Sequence, residues 1–382
     1  MNLEVKEKYI GLMSGTSLDA MDAVLVEFTD EPIRYEILSQ ASIPYEPSLK
    51  SKLHAFNSTD KSCLTDLALL DREVSLLAAE AVKDLLAKSG ESSSSVKAVA
   101  FAGQTIGHSI EGNKELTSQN NWTAQCGDPN ILAEKLGIPV VADFRRRDVA
   151  AGGHGAPLAT AFHQAFFTSA DEDRCIVNLG GISNITILRR GEEASGFDMG
   201  PANCLLDEWA KVHGKGEYDS RGQWAASGKV IDDLLVSFLG DPYFSKSPPK
   251  TTGRDYFNLH WVQSYLQGME SNYEAQDVQA TLVDLTALSI SLAVHSYFDA
   301  KESNKLSLYV AGGGSLNDHL LQRMTKLIKC PVRNIDELGV ESQQLEGLAF
   351  AWLAYLRLHG RPSNIPNITG ASGRRLLGAV YI

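Results

Sequence analysis

The stretch Tyr9–Phe28, YIGLMSGTSLDAMDAVLVEF, holds two apolar runs separated by small residues, hydroxyl groups and two carboxylates. The runs Tyr9–Met13 and Ala23–Phe28 have the composition of β-strands, so the stretch predicts a strand, a tight turn and a returning strand. Gly15 lets the backbone turn sharply and lets a ligand approach it closely. We therefore expect this hairpin to begin the fold.

The turn of this hairpin offers two kinds of ligand chemistry. Its backbone N–H groups, together with the hydroxyls of Ser14, Thr16 and Ser17, suit an anion such as a phosphate. The carboxylate of Asp19 suits a metal ion that accompanies the phosphate. The alternative is an ordinary hairpin whose hydroxyls satisfy its own backbone, and the stretch alone does not separate the two.

Length and composition predict a globular protein of two domains. The chain has 382 residues, more than a single core usually holds, with 43% hydrophobic and 21% charged residues. The formal net charge of −12 argues against nucleic acid or an anionic membrane as a partner. Because the same sign repels ATP, a nucleotide site needs local hydrogen-bond donors and a divalent cation.

The cysteines and the apolar segments predict a soluble, cytoplasmic protein. The five cysteines are widely separated and form no CxxC pair, a pattern typical of free thiols in a reducing compartment. The N-terminal residues lack the apolar region of a signal peptide. The most apolar long window, Thr281–Phe298, contains Asp284 and His295, so it predicts a buried helix rather than a membrane span.

Apolar spacing places strands and helices along the rest of the chain. The predicted strands are 33–43, Val96–Ala102, Ile138–Ala142, Cys175–Leu179, Ile185–Leu188, Leu306–Val310 and an edge strand at Leu376–Ile382. The predicted helices are Leu64–Lys88, Pro129–Leu136, Cys204–Val212, Asp277–Phe298, one ending at Ile328, and Gln343–Leu358. The polar segment Asn113–Thr123 is predicted to be an exposed loop.

Polar residues follow two of the predicted strands. Gln104 and Thr105 come directly after a buried strand and a glycine, which is where an open α/β sheet presents a ligand site. Asp143, Arg145 and Arg147 belong to a dense charged run after the next strand. Arginine offers forked donors and aspartate accepts from sugar hydroxyls, so one interpretation is a sugar- or carboxylate-binding edge. The other is a solvated charge run.

Glycine turns recur later in the chain in a form that matches the first hairpin. Gly180-Gly181 separates two short β-rich runs, which gives a second strand, small-residue turn and strand. Gly312-Gly313-Gly314 follows a strand and precedes a helix, a position that exposes N–H groups to a phosphate or a nucleoside. Two hairpin units and a later glycine turn together predict two related halves around one nucleotide.

Asp198 lies among small residues, in the segment Gly196–Asn203. Neighbours of this size leave room for a substrate to reach the carboxylate, so we expect Asp198 in an open turn. It is alternatively a turn former or an anion at the start of the helix that follows.

Nine motifs together resemble the anhydro-N-acetylmuramic acid kinases, a branch of the sugar kinase, actin and Hsp70 superfamily. They are MSGTSLDAMD (13–22), GQT (103–105), GDPN (127–130), ADFRRRDVAAGGHGAPL (142–158), NLGGISN (178–184), GFDMGPAN (196–203), PPKTTGRDYF (248–257), AGGGSLN (311–317) and LEGLAFAWLA (345–354). The chain departs from the family pattern at Ala20, Ala102, Met199 and Ala202, which bears on the fit of the sugar more than on the chemistry.

The resemblance implies a two-domain actin-like or ribonuclease H-like ATPase fold. Each domain would be a mixed β-sheet flanked by helices, with the ligand cleft between them. We place an N-terminal phosphate- and sugar-binding domain at 1–150, to which the tail 361–382 is allowed to return. A C-terminal nucleotide-binding domain would cover 151–360.

The resemblance also implies roles for individual residues. The nucleotide would contact Gly15, Thr16, Ser17, Leu18, Asp19, Ala20, Met21, Asp22, Asn178, Gly180, Gly181, Gly312, Gly313 and Gly314. The sugar would contact Gln104, Thr105, Asp143, Arg145 and Arg147. Asp19 and Glu346 would bind Mg²⁺, and Asp198 would be the catalytic base.

The implied reaction joins ATP, water and 1,6-anhydro-N-acetylmuramic acid to give the 6-phosphate and ADP in cell-wall recycling, with ATP and Mg²⁺ as cofactors. A homodimer is also expected. One alternative is a levoglucosan kinase, which acts on an unsubstituted 1,6-anhydro sugar. The other is a non-catalytic nucleotide switch like the actin branch, although an aspartate and a separate charged edge favour a small substrate and hence an enzyme.

Overall fold

The computed structural model describes residues 5–15, 18–58, 63–110, 121–267, 269, 273–298 and 305–382. The chain forms two compact units, Met1–Phe166 with Gln343–Ile382, and Phe167–Ser342. Each unit carries its own mixed β-sheet and its own hydrophobic core. The prediction of a two-domain α/β chain is confirmed.

Strands and helices alternate along much of the chain. The strands are β1 Lys6–Ser14, β2 Ala20–Thr29, β3 Arg34–Pro44, β4 Val96–Phe101, β5 Gln104–Ser109, β6 Trp122–Cys126, β7 Val140–Ala142, β8 Asp173–Leu179, β9 Ile182–Leu188, β10 Ser195–Pro201, β11 Leu306–Ala311, β12 Val332–Asn334 and β13 Ala379–Tyr381. The helices are α1 Pro47–Ser58, α2 Leu64–Ser89, α3 Pro129–Leu136, α4 Phe144–Val149, α5 Thr160–Phe167, α6 Asn203–Val212, α7 Gln223–Ser227, α8 Asp232–Leu239, α9 Pro242–Ser245, α10 Leu259–Leu266, α11 Ala275–Tyr297, α12 Asp318–Ile328, α13 Leu345–Leu358 and α14 Pro366–Thr369.

The two large sheets share one topology. The first has the order β3-β2-β1-β4-β7-β13 and the second has the order β10-β9-β8-β11-β12. In both, an antiparallel meander of three strands is followed by two strands that pair in parallel with the first strand of the meander and with each other. The first sheet also has β13, an edge strand that pairs antiparallel with β7. The prediction of two related halves is therefore confirmed by the strand order.

The unit boundaries differ from those placed at 150 and 360. Phe166 packs its ring 4.9 Å from that of Tyr35, so the start of α5 belongs with the first sheet. Helix α13 lies against β1, where the backbones of Gly11 and Gly347 approach closely. Both contacts join residues that are far apart in the sequence, so the domain boundaries predicted from the sequence did not include them.

Helices cover both faces of the first sheet because successive side chains of a strand point to opposite faces. From β1, Ile10 and Leu12 join a core cluster with Val74 of α2. Tyr9, which precedes Ile10, points the other way and packs against Tyr355 of α13, with ring centroids 5.6 Å apart.

Helix α11 is the central helix of the second unit. Most of its residues are buried against α6, α8, α12 and the sheet. Among the described residues it alone is long and apolar enough to cross a membrane, yet 83% of its most apolar window is buried within the protein. The expected buried helix at this position is confirmed.

One local prediction was wrong. Trp122 and Thr123 belong to β6 rather than to a loop, and the part of that predicted loop at 113–120 lies outside the described residues. The charged run 144–149 forms the short helix α4, which was not predicted. The cysteines are free thiols, with Cys63 exposed and the other four buried.

Candidate active site

The turn after β1 is closed by a backbone hydrogen bond. The N–H of Leu18 donates to the carbonyl of Gly15 at 3.2 Å, and Leu18 has a left-handed φ of 57°. Thr16 and Ser17 lie outside the described residues. The side chains of Leu18 and Met21 are buried in the core of the first unit, so only their backbone is suited to a nucleotide.

Gln104 is an internal hydrogen-bond partner of this turn. It is buried, and its Oε1 accepts from Ser14 Oγ at 2.6 Å and from the Tyr45 hydroxyl at 3.3 Å. These bonds tie the end of β1 to the start of β5. Thr105, the next residue, is half-buried and accepts from Gln125 Nε2 at 3.4 Å.

Asp19 and Asp22 follow the turn in different surroundings. The Asp19 side chain is 75% exposed, and Lys50 Nζ lies 3.2 Å from one of its oxygens. Asp22 is half-buried and accepts from Ser42 Oγ at 2.6 Å. Burial raises the pKa of Asp22, the bond from Ser42 opposes this, and the charge of Asp19 adds to the rise. Asp19 is thus the more accessible carboxylate for a cation.

The charged run of α4 separates into inward and outward side chains. Arg145 donates to the carbonyl of Gly155 at 3.0 Å and lies 5.7 Å from the ring centroid of Phe350. Asp143, with a left-handed φ of 61°, accepts from the Tyr381 hydroxyl at 2.7 Å. Arg147 is exposed. The structure therefore places the predicted sugar-binding residues of this run on one short helix and the residue before it.

Asp148, which closes the run, organises the glycine-rich segment that follows. It is fully buried and accepts from the N–H of Gly155, from Asn364 Nδ2 and from Thr369 Oγ1, at 2.8, 2.9 and 2.9 Å. These donors offset the cost of burying the carboxylate. The segment after α4 is thereby fastened to the C-terminal part of the first unit.

Glu346 is half-buried in the first turn of α13, where a carboxylate interacts favourably with the helix dipole. Its neighbour Gly347 meets Gly11 of β1, so the start of α13 is held against the strand that leads into the first turn. Glu346 and Asp19 both belong to the first unit.

The glycine turns of the second unit lie side by side. Asn178 at the end of β8 pairs with Ala311 at the end of β11, and a Cβ on Gly312 would overlap Asn178 Oδ1. The carbonyl of Gly180 accepts from the N–H of Asn203, and that of Gly181 accepts from the N–H groups of Ala202 and Cys204. The sequence predicted these turns to lie close together, and the parallel pairing of β8 and β11 brings them there.

The third glycine turn precedes a helix as predicted. Gly312 has a φ of +82°, and a 3₁₀ turn at Gly313–Leu316 leads to α12, whose first turn is capped by Asn317. A residue with a side chain at Gly312 would be strained by this φ as well as by the overlap with Asn178.

Asp198 is a buried residue of strand β10, so the prediction of an open turn was wrong. It is 7% exposed, and β10 pairs with β9 in an antiparallel register that shifts between Asp198 and Gly200. Gly196 serves this pairing, because a Cβ there would lie 2.5 Å from the carbonyl oxygen of Ile185. The small residues around Asp198 therefore fit strand packing as well as ligand access.

The segment 250–252 fixes the carboxylate of Asp198. Its Oδ2 accepts from Thr251 Oγ1 at 2.5 Å and from the N–H of Thr252 at 3.1 Å. Its backbone N–H donates to the carbonyl of Lys250 at 3.2 Å, and its carbonyl accepts from the Tyr243 hydroxyl at 2.6 Å. These hydrogen bonds hold the carboxylate in one orientation.

A second buried carboxylate holds that segment in place. Asp241 accepts from the N–H of Tyr243 and the Tyr256 hydroxyl at 2.8 Å each, from Trp261 Nε1 at 2.9 Å and from the Tyr265 hydroxyl at 3.1 Å. Because four donors satisfy the carboxylate of Asp241, we assign this residue a structural role.

The residues that position Asp198 were not predicted from the sequence. Thr251 and Thr252 stand in a motif whose prolines and basic residues were the more prominent features. The available signal was a pair of hydroxyl residues beside a proline turn, which is a source of donors for a carboxylate. Nothing in the local sequence indicates that their acceptor lies more than fifty residues earlier.

The predicted Mg²⁺ ligands fit a water-rich site. Mg²⁺ usually keeps several waters and binds through one or two carboxylates together with substrate phosphates. The exposed carboxylate of Asp19 suits such a site, and Glu346 lies in the same unit. Within the described parts of the chain, no group of three or more His, Cys, Asp or Glu side chains forms a cage for a metal.

A family model for anhydro-N-acetylmuramic acid kinase matches residues 7–382. The chain belongs to the anhydro-N-acetylmuramic acid kinase family. A relative of that name from Coxiella burnetii (strain RSA 493 / Nine Mile phase I) is 43% identical over 380 residues, which cover 98% of each chain. Another, from Nitrosomonas europaea, is 43% identical over 376 residues, covering 98% of this chain and 99% of the relative.

Solved structures similar to this family member share little sequence with it. The activator of 2-hydroxyisocaproyl-CoA dehydratase from Clostridium difficile, with bound ADPNP, is 13% identical with a TM-score of 0.44, covering 92% of this chain and 96% of its own. A ROK hexokinase from Thermus thermophilus is 14% identical with a TM-score of 0.39, covering 91% and 99%.

Proposed function

We propose that this chain converts 1,6-anhydro-N-acetylmuramic acid, ATP and water into N-acetylmuramic acid 6-phosphate and ADP, in the recycling of cell-wall amino sugars. Family membership supports the substrate and the use of ATP. The observation that carries the chemistry is the held, buried carboxylate of Asp198, since the reaction needs a group that removes a proton from water.

In the proposed reaction each bond that breaks is matched by one that forms. Asp198 takes a proton from water, and the water oxygen bonds to the anomeric carbon of the sugar. The bond from that carbon to O6 breaks, O6 bonds to the γ-phosphorus, and ADP leaves with the electrons of the broken P–O bond. Thr251 and Thr252 keep the carboxylate in one orientation throughout. Their donors also stabilise its charge before the proton arrives.

The glycine turns of both units are the proposed phosphate and nucleoside sites. Gly15, with the residues up to Asp22, would contact the phosphates. Asn178, Gly180-Gly181 and Gly312-Gly313-Gly314, which lie side by side, would contact the nucleotide. Asp19 and Glu346 would hold Mg²⁺, which supplies positive charge against the β- and γ-phosphates.

The sugar is proposed to lie at the edge formed by Gln104, Thr105 and helix α4. Gln104 and Arg145 shape this edge through their internal hydrogen bonds to Ser14 and to the Gly155 carbonyl. Arg147 is exposed, so its guanidinium is suited to the carboxylate of the muramic acid. Asp143 and Thr105 are suited to sugar hydroxyls.

An ATP-consumption screen tests the proposed function. The purified full chain is incubated with ATP and Mg²⁺ and with 1,6-anhydro-N-acetylmuramic acid, levoglucosan or N-acetylmuramic acid, and ADP is measured. We expect ADP release with the first sugar far above that with the other two. A preference for levoglucosan would move the assignment to the unsubstituted anhydro sugar, and inactivity with both anhydro sugars would contradict the proposal.

We also propose a cytoplasmic location and a homodimer. The free thiols at all five cysteines support a reducing compartment. The homodimer rests on the resemblance to the family. Light scattering of the purified chain at several concentrations tests it, and a mass of one chain, 41.5 kDa, at every concentration would contradict it.

A further inference from the structure

Arg254 differs from the other arginines of the second unit in having no carboxylate partner within the described residues. Six of the seven arginines between Phe167 and Ser342 have a carboxylate oxygen within 2.6–3.8 Å. They are Arg174, Arg189, Arg190, Arg221, Arg323 and Arg333. In a chain with a net charge of −12, a guanidinium without a counter-charge calls for an explanation.

The guanidinium of Arg254 packs against the Gly180-Gly181 turn. A Cβ built on Gly181 would lie 3.0 Å from Arg254 Nε and 3.1 Å from Nη2. Nε and one Nη form the donor edge with which arginine binds carboxylate or phosphate in bidentate fashion. That edge therefore faces the turn, and a side chain at position 181 would crowd it.

One of these donors is buried without an acceptor. Arg254 Nε is out of contact with solvent and has no hydrogen-bond partner among the described residues. A buried donor without a partner costs free energy, and such groups in proteins are usually satisfied by a ligand, water or ion. The phosphate of a bound nucleotide would supply this acceptor.

The backbone of the turn leaves one N–H group directed away from helix α6. The carbonyls of Gly180 and Gly181 accept from the start of α6. Because a trans peptide places its N–H opposite its carbonyl, the N–H of Gly181 points away from α6. The guanidinium also acts on that helix start, since burial raises the pKa of Cys204 to about 12 and the charge of Arg254 acts against the rise.

Hydrogen bonds hold the loop that carries Arg254 on both sides of that residue. Thr251 and Thr252 of the same loop hold the carboxylate of Asp198. After Arg254, the N–H groups of Tyr256 and Phe257 donate to the carbonyl of Gly253. Residues of one short loop therefore hold the carboxylate of Asp198 and place the guanidinium of Arg254 beside the glycine turn.

We infer that Arg254 is a phosphate-binding residue of the second unit, whose Nε and Nη2 donate to the β- or γ-phosphate of a nucleoside triphosphate at the Gly180-Gly181 turn. This inference rests on the proposed nucleotide site. The charge on the transferred phosphoryl group would be stabilised by the guanidinium of Arg254.

Nucleotide binding to the full chain tests this directly. Titration calorimetry compares ATP, ADP and AMP, with Mg²⁺, for the wild type, Arg254→Met and Arg254→Lys. Loss of a charged hydrogen bond should weaken ATP about 10- to 100-fold in Arg254→Met. AMP, which lacks the β- and γ-phosphates, should bind within about twofold of wild type on the same reasoning. Arg254→Lys should lie between, because it keeps the charge and loses the fork.

Arg333→Met is the matched control, since Arg333 is an exposed arginine of the same unit paired with Glu337. It should leave all three affinities unchanged. Equal weakening of ATP and AMP by Arg254→Met, or no change in either, would overturn the inference. If the affinities behave as expected but no anhydro sugar supports ADP release, the phosphate site stands and the proposed sugar kinase activity fails.

A measurement on the wild type covers the case in which the variants do not fold. Phenylglyoxal modifies arginine, and mass spectrometry reports how much Arg254 has reacted. ATP should protect Arg254 and AMP should not, while Arg333 should react equally with either nucleotide. Equal reaction of Arg254 with ATP, with AMP and without nucleotide would overturn the inference.

Discussion

At the scale of the residue, Asp198 combines burial with two donors to one carboxylate oxygen. Asp198→Asn keeps an oxygen that accepts both hydrogen bonds but removes the basic site. We expect the fold and ATP binding to survive and turnover to fall by about two to four orders of magnitude. ADP production with saturating anhydro sugar, measured beside thermal unfolding, checks this.

Asp233→Asn is the control for Asp198, because Asp233 is an exposed aspartate in the first turn of α8. It should change neither turnover nor unfolding. A folded Asp198→Asn protein with near-normal turnover would remove Asp198 from the role of base, and Glu346 would then be the next carboxylate to replace.

Asp19 is a second residue whose replacement should separate function from folding. Its side chain is 75% exposed and its only described ion pair, with Lys50, is at the surface. Asp19→Asn should change stability by about 0.5 kcal/mol or less and lower turnover most at limiting Mg²⁺. A Mg²⁺ titration of ADP production checks this, with Glu46→Gln, an exposed acid nearby, as control. An unchanged Mg²⁺ dependence would contradict the metal role.

His163 should make the first unit sensitive to acid. Burial lowers the pKa of His163 to about 3, below its usual 6.5. Between these values the unfolded chain binds a proton that the folded chain does not, so stability falls as the pH drops below 6.5. From pH 7 to pH 5 the loss should be about 2 kcal/mol.

Urea unfolding at pH 7 and pH 5 measures this loss. Burial also lowers the pKa of His108 in the same unit, to about 4, which adds a loss of similar size. His163→Gln should therefore remove about half of the difference, because glutamine does not titrate. An equal pH dependence in the wild type and in His163→Gln would show that other groups cause it.

Asp198 also marks the limit of what single residues reveal in a sequence. Its motif predicted a site residue, which stays a prediction. Its burial was not predicted, because strand pairing with β9 depends on residues Ile182–Leu188 and not on the small neighbours. Thr251 and Arg254 act on parts of the chain more than fifty residues away. Spacing along a sequence carries no information on such contacts.

At the scale of the element, the packing of α13 on β1 depends on two glycines. A Cβ on Gly11 would overlap the carbonyl of Gly347, whereas a Cβ on Gly347 would meet Val24 Cγ1 at 3.1 Å. Gly11→Ala should therefore destabilise the first unit by about 1–3 kcal/mol or more, and Gly347→Ala by less. Urea unfolding of both variants checks the order, and equal stabilities would contradict the close approach.

Elements with a regular spacing of apolar residues were predicted closely. Elements whose formation depends on contacts with distant parts of the chain were not. The bounds of α3 match the prediction, because Asp128 caps its first turn and Gly137 ends it. Helix α4 was not predicted. It begins after a left-handed Asp143 that is held by Tyr381, a residue near the other end of the chain.

At the scale of the whole molecule, the first unit is made from two separate pieces of sequence and the second from one. The fragment 167–342 contains the whole of its sheet and core, so it should fold alone. The fragment 1–166 lacks α13 and β13, which leaves the faces of Tyr9 and Phe28 uncovered, so it should not. Circular dichroism and urea unfolding of the two fragments check this.

Joining 1–166 to 343–382 through a flexible linker is the control, because it restores the missing helix and strand. This chain should unfold cooperatively. A fragment 1–166 that unfolds cooperatively by itself would show that α13 is not needed for the core.

The close contact between Gly11 and Gly347 means that the first unit cannot finish folding until the end of the chain has been translated. The second unit can complete its core once its own residues have emerged, while the first must wait for a helix that is translated after it. Translation from the end of α5 to the end of α13 takes roughly ten to forty seconds, at about 5–20 residues per second. During that interval the apolar face of β1 and β2 lacks its cover, which makes the nascent N-terminal part a natural client for a chaperone.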